Sequence, residues 1–159
     1  MELFQWVATI DASPYLCIEE ALKFRREVCG GEENIMGYCD QVALEGGRKA
    51  ADILGTEMME DTMTRQGHFV NVRLPLKKGD GVGEIKEGDA LIFLEWFAHR
   101  LVADFDTFMA PYLHAGSFWV RISGQIYIEE QDIEWGAKVL NELSRRAQMA
   151  EYLQMKAQL

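Results

Sequence analysis

Two apolar runs separated by a single dipeptide constrain this chain more than any other feature. Residues 107–114 and 117–128 are rich in aromatic and β-branched side chains, and only Ala115-Gly116 lies between them. A two-residue connection of this kind makes a tight hairpin, so the two runs pair antiparallel. A third run, 68–76, places Phe69, Val70, Val72 and Leu74 around Asn71 and Arg73, a partial alternation that reads as another strand.

The remaining apolar residues repeat with a helical period. Ser13 and Pro14 suit an N-cap and a first helical position, and the stripe Leu16, Ala21, Leu22, Phe24 and Val28 predicts a helix over 14–28 that Gly30-Gly31 ends. A second helix is expected over 32–54, weakened and open to a kink at Gly46-Gly47, because each glycine costs roughly 1 kcal/mol against alanine in a helix. Residues 56–67 are polar and methionine-rich and read as a loop or poor strand. The glycine-rich stretch 77–88 reads as a loop. Helices are expected over 90–105 and 132–148. The order helix, helix, strand, helix, strand, strand, helix predicts an α+β domain. Its small, three-stranded, mainly antiparallel sheet would carry helices on one face and leave the other for a partner. Residues 1–159 read as a single domain.

Composition excludes several functions. The chain has 159 residues, 48% of them hydrophobic, which argues for a globular core and against disorder. Its net charge of −10 gives little attraction for phosphate backbones or anionic lipid, so neither nucleic acid nor membrane is an expected partner. The basic clusters Lys23-Arg25-Arg26 and Arg145-Arg146 read as helix faces paired with nearby glutamates. Cys17, Cys29 and Cys39 are odd in number and widely spaced, unlike a disulfide framework or a zinc knuckle. They fit reduced thiols in the cytoplasm. The N-terminus has no signal-peptide pattern.

Two short segments carry chemistry. One is Trp6-Val7-Ala8-Thr9-Ile10-Asp11 followed by Ser13-Pro14-Tyr15-Leu16; the other is Trp119-Val120-Arg121-Ile122-Ser123-Gly124-Gln125-Ile126-Tyr127 followed by acidic residues and a helix. In this order the chain resembles the C-terminal small domain of class V aminotransferase-like, fold type I pyridoxal-phosphate (PLP) enzymes. The branch is the isopenicillin N epimerase-like and cysteine desulfurase-like one, which includes C–S lyases. Residues 26–32 and 69–75 resemble fungal members in particular. The resemblance implies that Thr9 contacts the cofactor phosphate, although Ala8 stands where the family has glycine. It also implies that Arg121 clamps the substrate α-carboxylate. A guanidinium offers a planar two-pronged fork to a carboxylate, and a strand holds such a fork rigidly. Ser123, Gln125 and Tyr127 would share the strand face with Arg121. The plain alternatives are a threonine ending an extended segment, and a surface arginine paired with Glu129 or Asp132.

PLP chemistry also needs a Schiff-base lysine. The family carries it on a large domain upstream of everything seen here, and none of the chain's lysines follows an apolar strand in the family's His-Lys pattern. The chain is therefore expected to be a fragment or degenerate homologue that does not bind PLP covalently and is inactive alone. It would handle an amino acid or small carboxylate beside a large-domain-bearing subunit or in a homodimer. The competing expectation is a non-catalytic module that associates with a PLP-enzyme subunit. His68, His99 and His114 lack metal-ligand spacing, and Gly79 to Gly83 reads as a turn rather than a phosphate loop.

Overall fold

A computed structural model describes residues 13–59 and 67–156. The chain divides between Gly37 and Tyr38 into two compact units. In the first, α1 (Ser13–Leu16) and α2 (Ile18–Glu27) replace the one helix expected over 14–28, and Cys17 is exposed at the break between them. Gly30 and Gly31 have φ of 77° and 93°, and the Gly31 N–H returns to the Arg25 carbonyl at 2.9 Å, which ends α2 where the glycine pair predicts. Lys23 pairs with Glu20 and Arg25 with Glu32, as the acidic surroundings suggested.

The helix α3 (Glu32–Leu54) has the predicted bounds and runs uninterrupted through Gly46-Gly47. Those glycines allow close packing. A Cβ on Gly46 would sit 3.1 Å from Ile133 Cγ2, and one on Gly47 3.1 Å from Met58 Sδ, both tighter than ordinary contact. The intrinsic cost of glycine is thus offset by an approach that alanine would obstruct.

The sheet contains β1 (Phe69–Lys77), β2 (Ala110–His114) and β3 (Ser117–Ser123), in the antiparallel order β1-β3-β2. The α+β expectation of a three-stranded antiparallel sheet with helices holds. Between β2 and β3, Ala115 and Gly116 have φ of 47° and 77°, the paired left-handed residues of a type I′ hairpin turn. Residues 57–59 add a short edge: Met58 bridges Val72, and Met59 N–H donates to the Asn71 carbonyl at 2.8 Å. The loop after β1 folds back, placing Ile85 in the core.

One sheet face points into the core. Val70, Val72, Leu74 and Leu76 of β1 and Phe118, Val120 and Ile122 of β3 are all buried, together with Phe93, Phe97 and Leu101 of α4 (Ala90–Phe105) and Ala137, Leu140 and Leu143 of α5 (Glu130–Gln148). Phe93 meets Phe118 edge to face, with ring centroids 4.7 Å apart. A final turn, α6 (Leu153–Lys156), follows the buried Tyr152. The other sheet face carries Phe69, Asn71 and Arg73 of β1, Ala110 and Tyr112 of β2, and Trp119, Arg121 and Ser123 of β3.

The strand β3 is shorter than the run 117–128. It stops at Ser123 because Gly124 turns into the helix layer: its N–H donates to the His68 carbonyl at 2.7 Å, and its α-carbon faces the α3 backbone at Cys39 and Ala43.

Candidate carboxylate-binding site

Arg121 lies on the central strand, with Asn71 of β1 and Ala110 of β2 as its two cross-strand partners. Its side chain is exposed on the sheet face that does not carry the helices. Its Nε lies 3.5 Å from Asn71 Oδ1, a long hydrogen bond, and its guanidinium carbon lies 4.4 Å from the centre of the Phe69 ring. The Tyr112 phenol is half-buried nearby. Burial pushes its pKa up, and the Arg121 charge acts in the opposite direction.

Every side chain in this cradle is neutral. The acids proposed as alternative partners are engaged elsewhere: Asp132 accepts from the Glu129 N–H at 2.8 Å, and the Glu129 side chain accepts from the Asp132 backbone, a reciprocal capping box at the start of α5. Among the described residues, no carboxylate lies within ion-pair distance of Arg121. By contrast, Arg73, two residues from Asn71 on the same face, pairs with Glu57 at 3.0 Å. An unpaired, positioned guanidinium flanked by rings suits an anionic ligand that arrives from outside.

Arg121 also forms part of the wall of a cleft of about 630 Å³. The cleft runs from residues 107–110 to the start of α5, with Phe108, Met109, Ile128 and Trp135 among its apolar walls. Ser123 and Gln125 give it polar atoms. The alternation expected over Arg121, Ser123, Gln125 and Tyr127 is corrected here. Only the first two share a strand face, and the other two lie beyond the end of β3, although all four line the cleft. Thr9 falls outside the described residues. Asn71, Phe69 and Tyr112 were missed as site residues by sequence reasoning; the polar Asn71 interrupting an apolar strand was the one local signal.

No lysine lines the cleft, and its one carboxylate, Asp132, is engaged in the helix cap. Among the described residues, no cluster of His, Cys, Asp and Glu is grouped as a metal site requires. No helix among them is long and apolar enough to cross a membrane.

The fold has a likeness among solved structures. It matches a solved structure of Oryza sativa TDC with PLP and tryptamine at a TM-score of 0.50 and 17% identity, over 71% of this chain and 23% of that one. Sequence relatives narrow the class. The chain is 36% identical over 155 residues to the L-cysteine desulfhydrase-like protein lolT1 of Epichloe uncinata, covering 87% of this chain and 34% of that protein. It is 31% identical over 132 residues to the hercynylcysteine sulfoxide lyase of Schizosaccharomyces pombe, covering 83% of this chain and 30% of that protein. The relatives it matches are thus L-cysteine desulfhydrase-like proteins and a hercynylcysteine sulfoxide lyase, in line with the fungal resemblance of the chain's motifs. It spans about a third of the length of the curated relatives it matches. No family model matches it.

Proposed function

We propose that this chain is the carboxylate-anchoring, C-terminal small domain of a class V aminotransferase-like, PLP-dependent enzyme. The substrate is an amino acid or a cysteine-derived compound, and the reaction is of the epimerase, desulfurase or C–S lyase type. Arg121 carries the reading, because its guanidinium stands on the central strand among neutral neighbours, with no counter-charge within ion-pair distance among the described residues. Its role is to bind the substrate α-carboxylate through its two terminal nitrogens and so fix the direction of the α-carbon.

PLP, when bound, supplies an electron sink for carbanion chemistry. In this assembly the cofactor and the Schiff-base lysine come from a large domain, on this polypeptide or on a neighbouring subunit, with Thr9 contacting the cofactor phosphate. The cytoplasm is the setting we assign, on the odd number and wide spacing of Cys17, Cys29 and Cys39.

The test is a calorimetric titration of the chain with L-cysteine. Arg121→Gln is expected to weaken binding at least about tenfold, the loss of a charge-assisted pair of hydrogen bonds. Arg121→Lys keeps the charge without the fork and is expected to fall between the two. Equal affinity in all three proteins would refute the assignment.

A further inference from the structure

We infer that Asn71 and Phe69 are the positioning residues that hold Arg121 poised for a carboxylate, and that position 71 must be an amide rather than an acid for the site to stay open. The inference rests on the reading of Arg121 as a carboxylate anchor and goes beyond it to residues on another strand.

The geometry divides the guanidinium into used and free surfaces. Asn71 sits directly across from Arg121 in the antiparallel register, and its Oδ1 approaches the Nε, the inner nitrogen of the fork. The guanidinium carbon lies over the Phe69 ring, 4.4 Å from its centre. The terminal nitrogens are hydrogen-bonded to no described residue and remain available as a pair. A carboxylate binds best to such a pair, because both oxygens are then satisfied in one plane. An arginine free to rotate would lose several torsions on binding, whereas one already stacked and tethered loses fewer.

Residue type at 71 then decides whether the site is open. Asn71 Oδ1 is a neutral acceptor. It orients the Nε while leaving the positive charge uncompensated. Aspartate is nearly the same size and would place a full negative charge at the same spot. It would convert the contact into an internal ion pair that competes with the ligand, the arrangement that Arg73 already has with Glu57. The amide of Asn71 is itself held: its Nδ2 lies 4.0 Å from Met59 Sδ, so the oxygen faces the arginine.

The experiment uses the full chain with Phe69→Leu, Asn71→Ala and Asn71→Asp. Neither Phe69 nor Asn71 is buried in the core, so folding is expected to survive, and thermal melts check that each variant keeps its midpoint. Two readouts are followed: L-cysteine affinity, and the ring-current shift and ¹⁵N relaxation of the Arg121 Nε–H without ligand. In the wild type this proton is expected to be upfield and its nitrogen ordered. Phe69→Leu is expected to remove the ring-current shift and to weaken L-cysteine binding about fivefold, as loss of an exposed cation–π contact implies. Asn71→Ala is expected to raise Nε mobility with a similar loss of affinity. Asn71→Asp is expected to keep the Nε ordered yet weaken binding more than Asn71→Ala does.

A merely structural role for these residues would lower the melting midpoint without changing the Nε–H signature. An Arg121 nitrogen as mobile in the wild type as in Phe69→Leu overturns the inference, whether or not L-cysteine binds. So does equal binding by Asn71→Asp and the wild type. Failure of the wild type to bind L-cysteine, with the ordered Nε–H intact, overturns the carboxylate reading and leaves the positioning contacts established.

Discussion

Replacing Gly124 by alanine tests the account where fold and site meet. Gly124 ends β3 three residues after Arg121 and faces the α3 backbone. A Cβ there would lie 3.0 Å from the Cys39 carbonyl carbon and 3.1 Å from the Ala43 nitrogen, and closer still to the Cys39 carbonyl oxygen. Comfortable contacts between carbon atoms fall at about 3.5–4.0 Å, so α3 and the strand end must separate by roughly half an ångström or more. The obstructing atoms belong to a helix backbone, so no side-chain rotation relieves the clash. Overpacking costs about 1–3 kcal/mol, and a backbone clash belongs at the upper end, near 3 kcal/mol. For a chain of this size each kcal/mol moves the midpoint by about 2–4 °C, which predicts a Tm lower by roughly 6–12 °C. Separation would also stretch the 2.7 Å bond from the Gly124 N–H to the His68 carbonyl and disturb the strand end beside Arg121. Thermal unfolding followed by far-ultraviolet circular dichroism measures the first effect, and L-cysteine titration the second. A Tm within about 2 °C of the wild type would refute the claim that close packing dictates glycine here.

Other outcomes follow from the same structure. Gly37 lies within α3 with nothing within 4 Å of an added Cβ, so Gly37→Ala is expected to stabilise by about 0.5–1 kcal/mol, read from urea unfolding. Gly116 has φ of 77° in the hairpin turn, and Gly116→Ala is expected to cost about 1–2 kcal/mol by the same assay. Arg146 bridges Asp104 at 2.8 Å and Glu151 at 2.8 Å, and its hydrogen bonds hold both carboxyls below their usual range. Because the folded values are depressed, this stabilisation is present at neutral pH. It begins to fade as pH falls below about 5 and is lost once pH passes the lowered values. Arg146→Met is expected to remove about 2 kcal/mol at pH 7 and to flatten the acid limb of the stability profile. An unchanged acid limb would show that the bridge contributes nothing.

The parts of the fold that were legible in the sequence are those fixed by local pattern. The bounds of α3 and α4 follow from helical periodicity with glycine or a turn beyond, and the hairpin follows from Ala115-Gly116 between apolar runs. What was not legible depends on distant partners. The strand β3 ends at Ser123, although apolar residues continue to Ile128, because Gly124 must meet α3 some 80 residues earlier in the chain. The edge formed by residues 57–59 exists only because β1 has backbone groups to pair with. The site divides in the same way. Arg121 was found through its flanking motif. Phe69 and Asn71 required the register between β1 and β3, which no local pattern encodes. Glu129 and Asp132, read as rival partners for Arg121, are spaced as a capping box, a signal present in the sequence but assigned to a different contact.

The central claim is that Arg121 recognises a substrate carboxylate. L-cysteine and cysteamine differ only by that group, so calorimetric titration of the wild type and Arg121→Gln with both compounds isolates it. The account predicts that the wild type prefers L-cysteine by at least about tenfold and that Arg121→Gln binds the two alike. Retention of the full preference in Arg121→Gln would contradict it.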